Sequence, residues 1–388
     1  LIDTSTERQD LADQLEAAGA IRTPAWRKAV EAVPRELFLN PGVFLPAGVG
    51  LWRPVVAADT DQAEWIRTAY TNESLVTQLD NHLTADQVQG PVGGLPTSSS
   101  TLPSLVLEMI EELDIEDGHQ VLEIGTGTGY SAGLMCHRLG EDNVTTIEVD
   151  PGVAARADAA LESAGISTWT VTGDGLLGLP RRAPYDRVIA TCGVRRIPYT
   201  WVRQTRPGGV ILATIGTLAT GTGLAKLTVR EDGTADGRFV GHTNFMLARS
   251  QATTPIAGDL SSRVAFADSE RRALVAPTGL DELMPAFLVQ LAAPTAQVLR
   301  VQDSDGNPQV YLLDPDRESF AELLRNGDEW RVRQGGPVRM WDDVERALLG
   351  WAAAGRPDIT EVRLHVTERS HTYLIGNAPD LRWVHPLH

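Results

Sequence analysis

The stretch Val121-Leu122-Glu123-Ile124-Gly125-Thr126-Gly127-Thr128-Gly129-Tyr130 decides the fold. It reads as a buried strand that ends on a Gly-rich turn and runs straight into a helix. Gly125, Gly127 and Gly129 permit backbone angles that other residues resist, and they let a ligand approach where a side chain would collide. The helix N-terminus offers N–H groups to an anionic group such as a carboxylate. A plain strand–helix turn is one reading of the stretch, and two nucleotide readings compete with it. The dinucleotide fingerprint Gly-x-Gly-x-x-Gly would place Tyr130 at its third glycine. An S-adenosylmethionine site instead carries an acid at the strand end followed by Gly-x-Gly-x-Gly, as Glu123 and the three glycines supply. Thr126 and Tyr130 then belong to the same cofactor-contact set.

The segments on either side extend the pattern. Leu105, Val106, Met109, Ile110 and Leu113 make an amphipathic helix ahead of the motif. Behind it come a helix (130–139), the strand VTTIEV (144–149), a helix (153–164) and the strand TWTVT (168–172). DRVIAT (186–191) and GVILATIG (209–216) follow as short apolar runs. Such alternation implies a mostly parallel sheet covered on both faces. Glu148, with Val149 beside it, ends the second strand, where a carboxylate can accept both ribose hydroxyls; an acid roughly 20 residues on is the usual partner. Asp174, followed by Gly175 and Leu176, sits where it can accept from an adenine amino group. A solvated strand-end acid and a turn former explain Glu148 and Asp174 singly. Three ligand groups at consecutive strand ends are harder to explain so, since open α/β sheets bind ligands at that edge. The expected fold is α/β: a doubly wound, seven-stranded, Rossmann-like S-adenosylmethionine-dependent methyltransferase core, with an N-terminal helical and loop segment and a C-terminal α+β domain.

The boundaries expected are 1–100 for N-terminal helices and acceptor-recognition loops, 101–250 for the core and 251–388 for an accessory domain. In the first segment Leu11, Leu15 and Ala18 form one helical face closed by Gly19, and Thr23-Pro24 opens a second helix that stops at Pro34. Residues 40–64 read as irregular, and residues 84–100 as a long Gly/Pro/Ser loop. LAKLTVR, EDGTADG and RFVGHTNFML (224–247) read as a hairpin closing the sheet. In the last segment QVLRVQ and QVYLLDP flank a turn at Ser304-Asp305-Gly306-Asn307. Helical stretches are expected at 320–324 and 341–354, then a strand, EVRLHV (361–366).

Composition narrows the function. The formal charge is −17, from 51 acidic and 34 basic residues, and such a surface repels phosphate backbones, so nucleic acid is not the expected acceptor. Arg181, Arg182, Arg195 and Arg196 either reverse that field locally or are simply solvated. The eight histidines are scattered without metal-ligand spacing, so no metal is expected. Cys136 and Cys192 read as packed thiols rather than a bridge, which suggests the cytoplasm. LIDTSTERQDLADQ (1–14) lacks the basic and apolar regions of a secretory signal, and no apolar run reaches the roughly 18 residues of a membrane span.

Further segments carry a family resemblance: VPRELFL (33–39), LVLEMIEEL (105–113), VLEIGTGTGY (121–130), GDGLLGLPRRAPYDRVIATCG (173–193) and TRPGGVILATIG (205–216). In order and spacing the chain resembles the protein-L-isoaspartate O-methyltransferases. The resemblance implies methylation of a side-chain or isoaspartyl carboxylate, with S-adenosylhomocysteine as product. Family members carry a Thr-Ile-Ser segment before the first core helix, with the serine beside the transferring methyl. That serine falls on Ser98, inside the hydroxyl run Thr97, Ser98, Ser99, Ser100 and Thr101. The resemblance makes Ser98, with Thr97 and Ser99, the catalytic candidates and adds Ser100 to the cofactor contacts; a polar loop is the plainer account. Tyr70, Thr77 and Gln78 fall in the region where the family recognises its acceptor. The hydroxyl run and the C-terminal extension also look like the branch that tailors ribosomal peptides beside graspetide or lanthipeptide enzymes. There the partner is a macrocyclic precursor peptide, and an aspartyl methyl ester leads to aspartimide and isoaspartate. Repair of damaged isoaspartyl proteins is the alternative. A nicotinamide oxidoreductase and a non-catalytic peptide-binding module remain from other classes, and the oligomeric state is not legible.

Overall fold

Apolar strands β6 (Val121–Ile124), β7 (Val144–Glu148), β8 (Trp169–Thr172), β9 (Tyr185–Val194) and β10 (Thr205–Ile215) build the sheet that positions the site in this computed structural model. The structure describes residues 3–217, 221–252, 266–302, 305–376, 378 and 380–387. Ser304 of the expected hairpin turn, and the first two residues of the 1–14 stretch, lie outside them.

The described chain divides into two compact units. One comprises residues 1–192, 198–213 and 228–233, the other residues 193–197, 214–227 and 234–388. In the first unit the core strands run in the order β10-β9-β6-β7-β8, and β6 pairs in parallel with both β7 and β9. β7 pairs in parallel with β8. The chain therefore leaves β6 in one direction and returns to its other side at β9. That reversal opens a crevice outside the carboxyl ends of the strands, where such sheets bind ligands. The helices Pro103–Glu112, Tyr130–Leu139 and Pro151–Ser163 cover the sheet. Buried Val121, Leu122, Val144, Ile147, Val188 and Ile189 fill the layer between. The expected doubly wound α/β core is present.

Before that core the sequence misleads in two places. Residues 40–64 hold an antiparallel hairpin, β1 (Gly42–Gly48) with β2 (Leu51–Val56), and the start of a helix, Gln62–Ala69. The supposed loop at 84–100 ends in a strand, β5 (Pro96–Ser100), which pairs antiparallel with β3 (Leu75–Leu79). With β4 (Val92–Gly93) these make a five-stranded sheet, β4-β2-β1-β3-β5. Ser and Thr runs favour loops locally, but a partner strand about twenty residues earlier satisfies their backbone groups, and pairing overrides local preference. On the first helix, Ser5–Ala17, Ala12 rather than Ala18 is buried with Leu11 and Leu15. Thr23 precedes the second helix, Pro24–Ala32, but makes no side-chain cap; its hydroxyl goes to Glu111 instead.

The second unit has an antiparallel sheet containing β12 (Ala235–Gly241), β18 (Val362–Val366), β19 (Ser370–Ile375) and β20 (Arg382–Pro386). Another five-stranded sheet, in the order β13-β17-β16-β15-β14, comprises β13 (Ser269–Arg272), β14 (Gln297–Gln302), β15 (Pro308–Asp314), β16 (Ser319–Asn326) and β17 (Glu329–Gly335). The expected hairpin after residue 223 forms, β11 (Gly223–Val229) with its return strand β12, but the return strand stops at Gly241. The 320–324 segment is strand, not helix: Phe320, Ala321 and Leu323 are buried inside β16, which pairs on both sides. Ala, Glu and Leu favour helix weakly, and that preference yields to a ladder on each flank. The helix expected near 341–354 is Met340–Ala353.

Candidate functional site

The 125–129 turn is held from below by a buried chain of side-chain bonds. Glu123 is fully buried and accepts from the hydroxyls of Ser131 and Thr146. Thr146 in turn shares a 2.7 Å hydrogen bond with Thr126. Burial pushes the Glu123 carboxyl up to about 7, with Glu148 adding repulsion and the two hydroxyl donors opposing the rise. Glu123 therefore braces the turn rather than facing a ligand, and Thr126 is buried within the same network. Tyr130, the first residue of its helix, points its ring at Phe38, 5.7 Å between centroids, and lies beneath the Arg35 guanidinium. Its hydroxyl is buried and, among the described residues, has no hydrogen-bond partner.

Above that brace the backbone is exposed to contact. Gly125, Gly127 and Gly129 all have positive φ, at +91°, +55° and +89°, a region that side chains disfavour. Glu148, at the end of β7, accepts from the N–H groups of Gly127 and Asp150, each at 3.0 Å. Next to it, just past the strand, Val149 is 42% exposed. Asp174 accepts from Leu176 N–H at 2.9 Å and so shapes the turn after β8. A Cβ on Gly175 would lie 2.5 Å from Ile124, so the two strand-end turns pack closely. Cys192, near the end of β9, has its thiol pushed up to about 12 by burial and by the charges of Glu148 and Asp174. The edge is thus electronegative, which suits a cationic group.

β5 brings the hydroxyl run to this edge. A Cβ on Gly127 would stand 3.4 Å from the Ser99 carbonyl oxygen. Ser98 is buried and receives a 3.1 Å hydrogen bond from Thr77 of β3. Thr97 donates to the Gln78 side chain at 2.9 Å and accepts from Asn81 N–H. Gln78 reaches Asp150 at 3.3 Å, tying β3 to the turn after β7. The Ser100 hydroxyl is buried with no hydrogen-bond partner, a group that ordinarily requires one. Thr97, Ser98, Thr77 and Gln78 therefore form one cluster beside the glycine turn.

Tyr70 is not part of it. Its hydroxyl donates to Glu36 at 2.5 Å and bonds Thr4 at 3.2 Å, and burial with Glu36 beside it raises its pKa. The ring fastens the N-terminal helices. Two contributors escape the sequence reading: Asp150, which also caps the helix Pro151–Ser163, and Thr191, whose hydroxyl donates to the Gly125 carbonyl. Asp-Pro ahead of an apolar run is a cap signal, so Asp150 was legible as a cap though not as a partner of Gln78. Thr191 depends on β9 lying beside β6, which no local pattern reveals. Arg182 stacks over Trp169 and donates to Asp142 O, so it faces no ligand edge. Both cysteines are unbridged. Among the described residues no cluster of three or more His, Cys, Asp or Glu is placed to hold a metal, and no helix is long and apolar enough to cross a membrane.

Comparison with known proteins accounts for this arrangement. Residues 63–252 match the family model "Protein-L-isoaspartate(D-aspartate) O-methyltransferase (PCMT)". A protein-L-isoaspartate O-methyltransferase of Ignicoccus hospitalis is 37% identical over 142 residues, 36% of this chain and 66% of the relative. One from Staphylothermus marinus is 31% identical over 218 residues, 54% of this chain and 80% of the relative. The chain matches somewhat under two thirds of the length of several such relatives, 58% for that of Xanthobacter autotrophicus. A solved protein-L-isoaspartate O-methyltransferase superposes over 98% of both chains with a TM-score of 0.54 at 22% identity, a likeness of fold. With a glycine turn, strand-end acids and a hydroxyl strand in one place, and a relative matched over four fifths of its length, the chain belongs to the protein-L-isoaspartate O-methyltransferase family.

Proposed function

We propose that the chain transfers a methyl group from S-adenosylmethionine to a carboxylate of an isoaspartyl residue in a protein or peptide. The observation that supports this reading is the seat of β5 against the glycine turn, where the Ser99 carbonyl approaches Gly127 and Ser98 of the same strand is held by Thr77. The residues fit the cofactor: positive-φ glycines for close approach, Glu148 for ribose hydroxyls, exposed Val149 beside an adenine ring, and the unpartnered Ser100 hydroxyl. S-adenosylmethionine supplies an electrophilic methyl on a sulfonium, which a carboxylate oxygen can take without losing or gaining a proton. Ser98, which accepts from Thr77 and keeps its own O–H to donate, then holds one acceptor oxygen so that the other lines up with the methyl, and the electronegative edge favours the cationic donor. No general base is required, in keeping with a cluster built of hydroxyls and an amide.

A narrower reading concerns the acceptor. The hydroxyl run in place of the family's usual segment supports an aspartate of a ribosomal, macrocyclic precursor peptide as the group methylated. Aspartimide and isoaspartate would follow. The test is turnover with an isoaspartyl peptide against a macrocyclic precursor carrying ordinary aspartate, scored as base-labile methyl ester. Preference for the isoaspartyl peptide establishes the repair reaction and overturns the maturation reading. Ester on neither substrate overturns both.

A further inference from the structure

A cavity with a volume of 370 Å³ lies wholly within the second unit, a size that suits a small ligand or a pair of side chains. Its lining combines Phe287, Leu291 and Tyr373 with Arg195 and Arg196. Several arginines of this unit sit on acids, Arg271 on Asp342 and Glu345, Arg333 on Glu322 and Arg339 on Asp268, while Arg325 and Arg363 donate to backbone carbonyls at exposed positions away from any cavity lining. Arg195 and Arg196 instead bond only to backbone carbonyls, those of Gln251 and Pro386, and make no ion pair among the described residues. Both are half-buried. The Arg195 guanidinium is held below the usual arginine range by burial and by the charge of Arg196. In a chain with 51 acids to 34 bases, two neighbouring cations without an acid, facing one cavity, leave a positive field that an anion would neutralise.

We propose that this cavity is a carboxylate-binding site for an acidic peptide, with an aspartate side chain on Arg195 and Arg196 and a neighbouring aromatic side chain against Phe287, Leu291 and Tyr373. The peptide as occupant rests on the proposed methyl-transfer function; the anion chemistry does not. The cavity belongs to the second unit and the Thr77–Ser98 pair to the first.

Calorimetric titration of the full chain with acetyl-Phe-Asp-amide tests it, beside the same peptide as its side-chain methyl ester and beside inorganic phosphate. The acid should bind at least about tenfold more tightly than the ester, as expected for a charge-assisted bidentate contact. Arg195→Gln and Arg196→Gln should each weaken it by a similar factor, with S-adenosylhomocysteine affinity and melting temperature unchanged. Equal binding of acid and ester overturns the proposal, and that comparison needs no variant. Undiminished binding by a folded double Gln variant also overturns it. So does phosphate binding as tightly as the peptide with the same arginine dependence, which would mark a general phosphate site. Failure of the methyl-transfer reading shows separately, as absence of S-adenosylhomocysteine binding, and leaves these titrations unmoved.

Discussion

The 125–129 turn and the β5 strand lie against one another in the first unit, yet each is fixed by different means. The turn is locked from within: Glu123, Thr126, Thr146 and Ser131 spend their side chains on one another, and the N–H groups of Gly125, Gly127 and Gly129 go to Ile147, Glu148 and Thr126, so the turn offers a ligand side-chain-free space beside the strand-end carboxylates. The strand is locked by its ladder to β3 and by hydroxyl bonds to that strand's side chains, Thr77 to Ser98 and Thr97 to Gln78. Donor chemistry needs a rigid turn and room for close approach. Acceptor chemistry needs side chains that can adapt to a peptide. The contrast explains why one half is a compact motif and the other a run of small polar residues.

The largest effect should come from breaking the turn. Gly127→Val puts a branched side chain at φ +55°, 3.4 Å from the Ser99 carbonyl, and left-handed backbone alone costs about 1–2 kcal/mol. Affinity for S-adenosylhomocysteine, measured by calorimetry, should fall about 100-fold or more. The brace beneath the turn has a pH signature. Folded Glu123 holds its proton up to about 7 against an ordinary value of 4.5, so between these values the folded state binds more protons than the unfolded one. Stability from this group is full below about 4.5 and is lost as pH rises through about 7. Glu123→Gln cannot titrate and should remove that slope, changing the difference from the parent chain by at most about 3 kcal/mol between pH 5 and 8. Denaturant unfolding at the two pH values measures it.

On the acceptor side, effects should be smaller and confined to turnover. Ser98→Ala should lower methyl transfer about tenfold, the worth of one hydrogen bond to a charged group, without changing S-adenosylhomocysteine affinity. A loss of cofactor binding instead would place Ser98 on the donor side. Tyr70→Phe should be smallest: about 1 kcal/mol of stability for the lost Glu36 contact, with turnover of the folded enzyme unchanged. A changed KM for peptide would return Tyr70 to the acceptor surface.

The same contrast governs what the sequence discloses. The strand, the turn and the following helix are contiguous, so the glycine spacing and the acids Glu148 and Asp174 can be read from local pattern. The acceptor half is not contiguous. Thr77 meets Ser98 across 21 residues, through a strand pairing that a Ser/Thr-rich segment does not announce. Tyr70 looks like a recognition residue in sequence, and only its distant partners Glu36 and Thr4 reveal a structural one. Phe320 and Leu323 fail for the same reason, because their strand is dictated by neighbours on both sides.

The central claim is that the 125–129 turn with Glu148 and Asp174 is a methyl-donor site rather than a dinucleotide site. Calorimetric titration of the full chain with S-adenosylhomocysteine and, separately, with NAD tests it most directly. Saturable binding of S-adenosylhomocysteine that Gly127→Val abolishes, with no binding of NAD, is the predicted result. Binding of NAD at the turn, or S-adenosylhomocysteine affinity untouched by Gly127→Val, would contradict it.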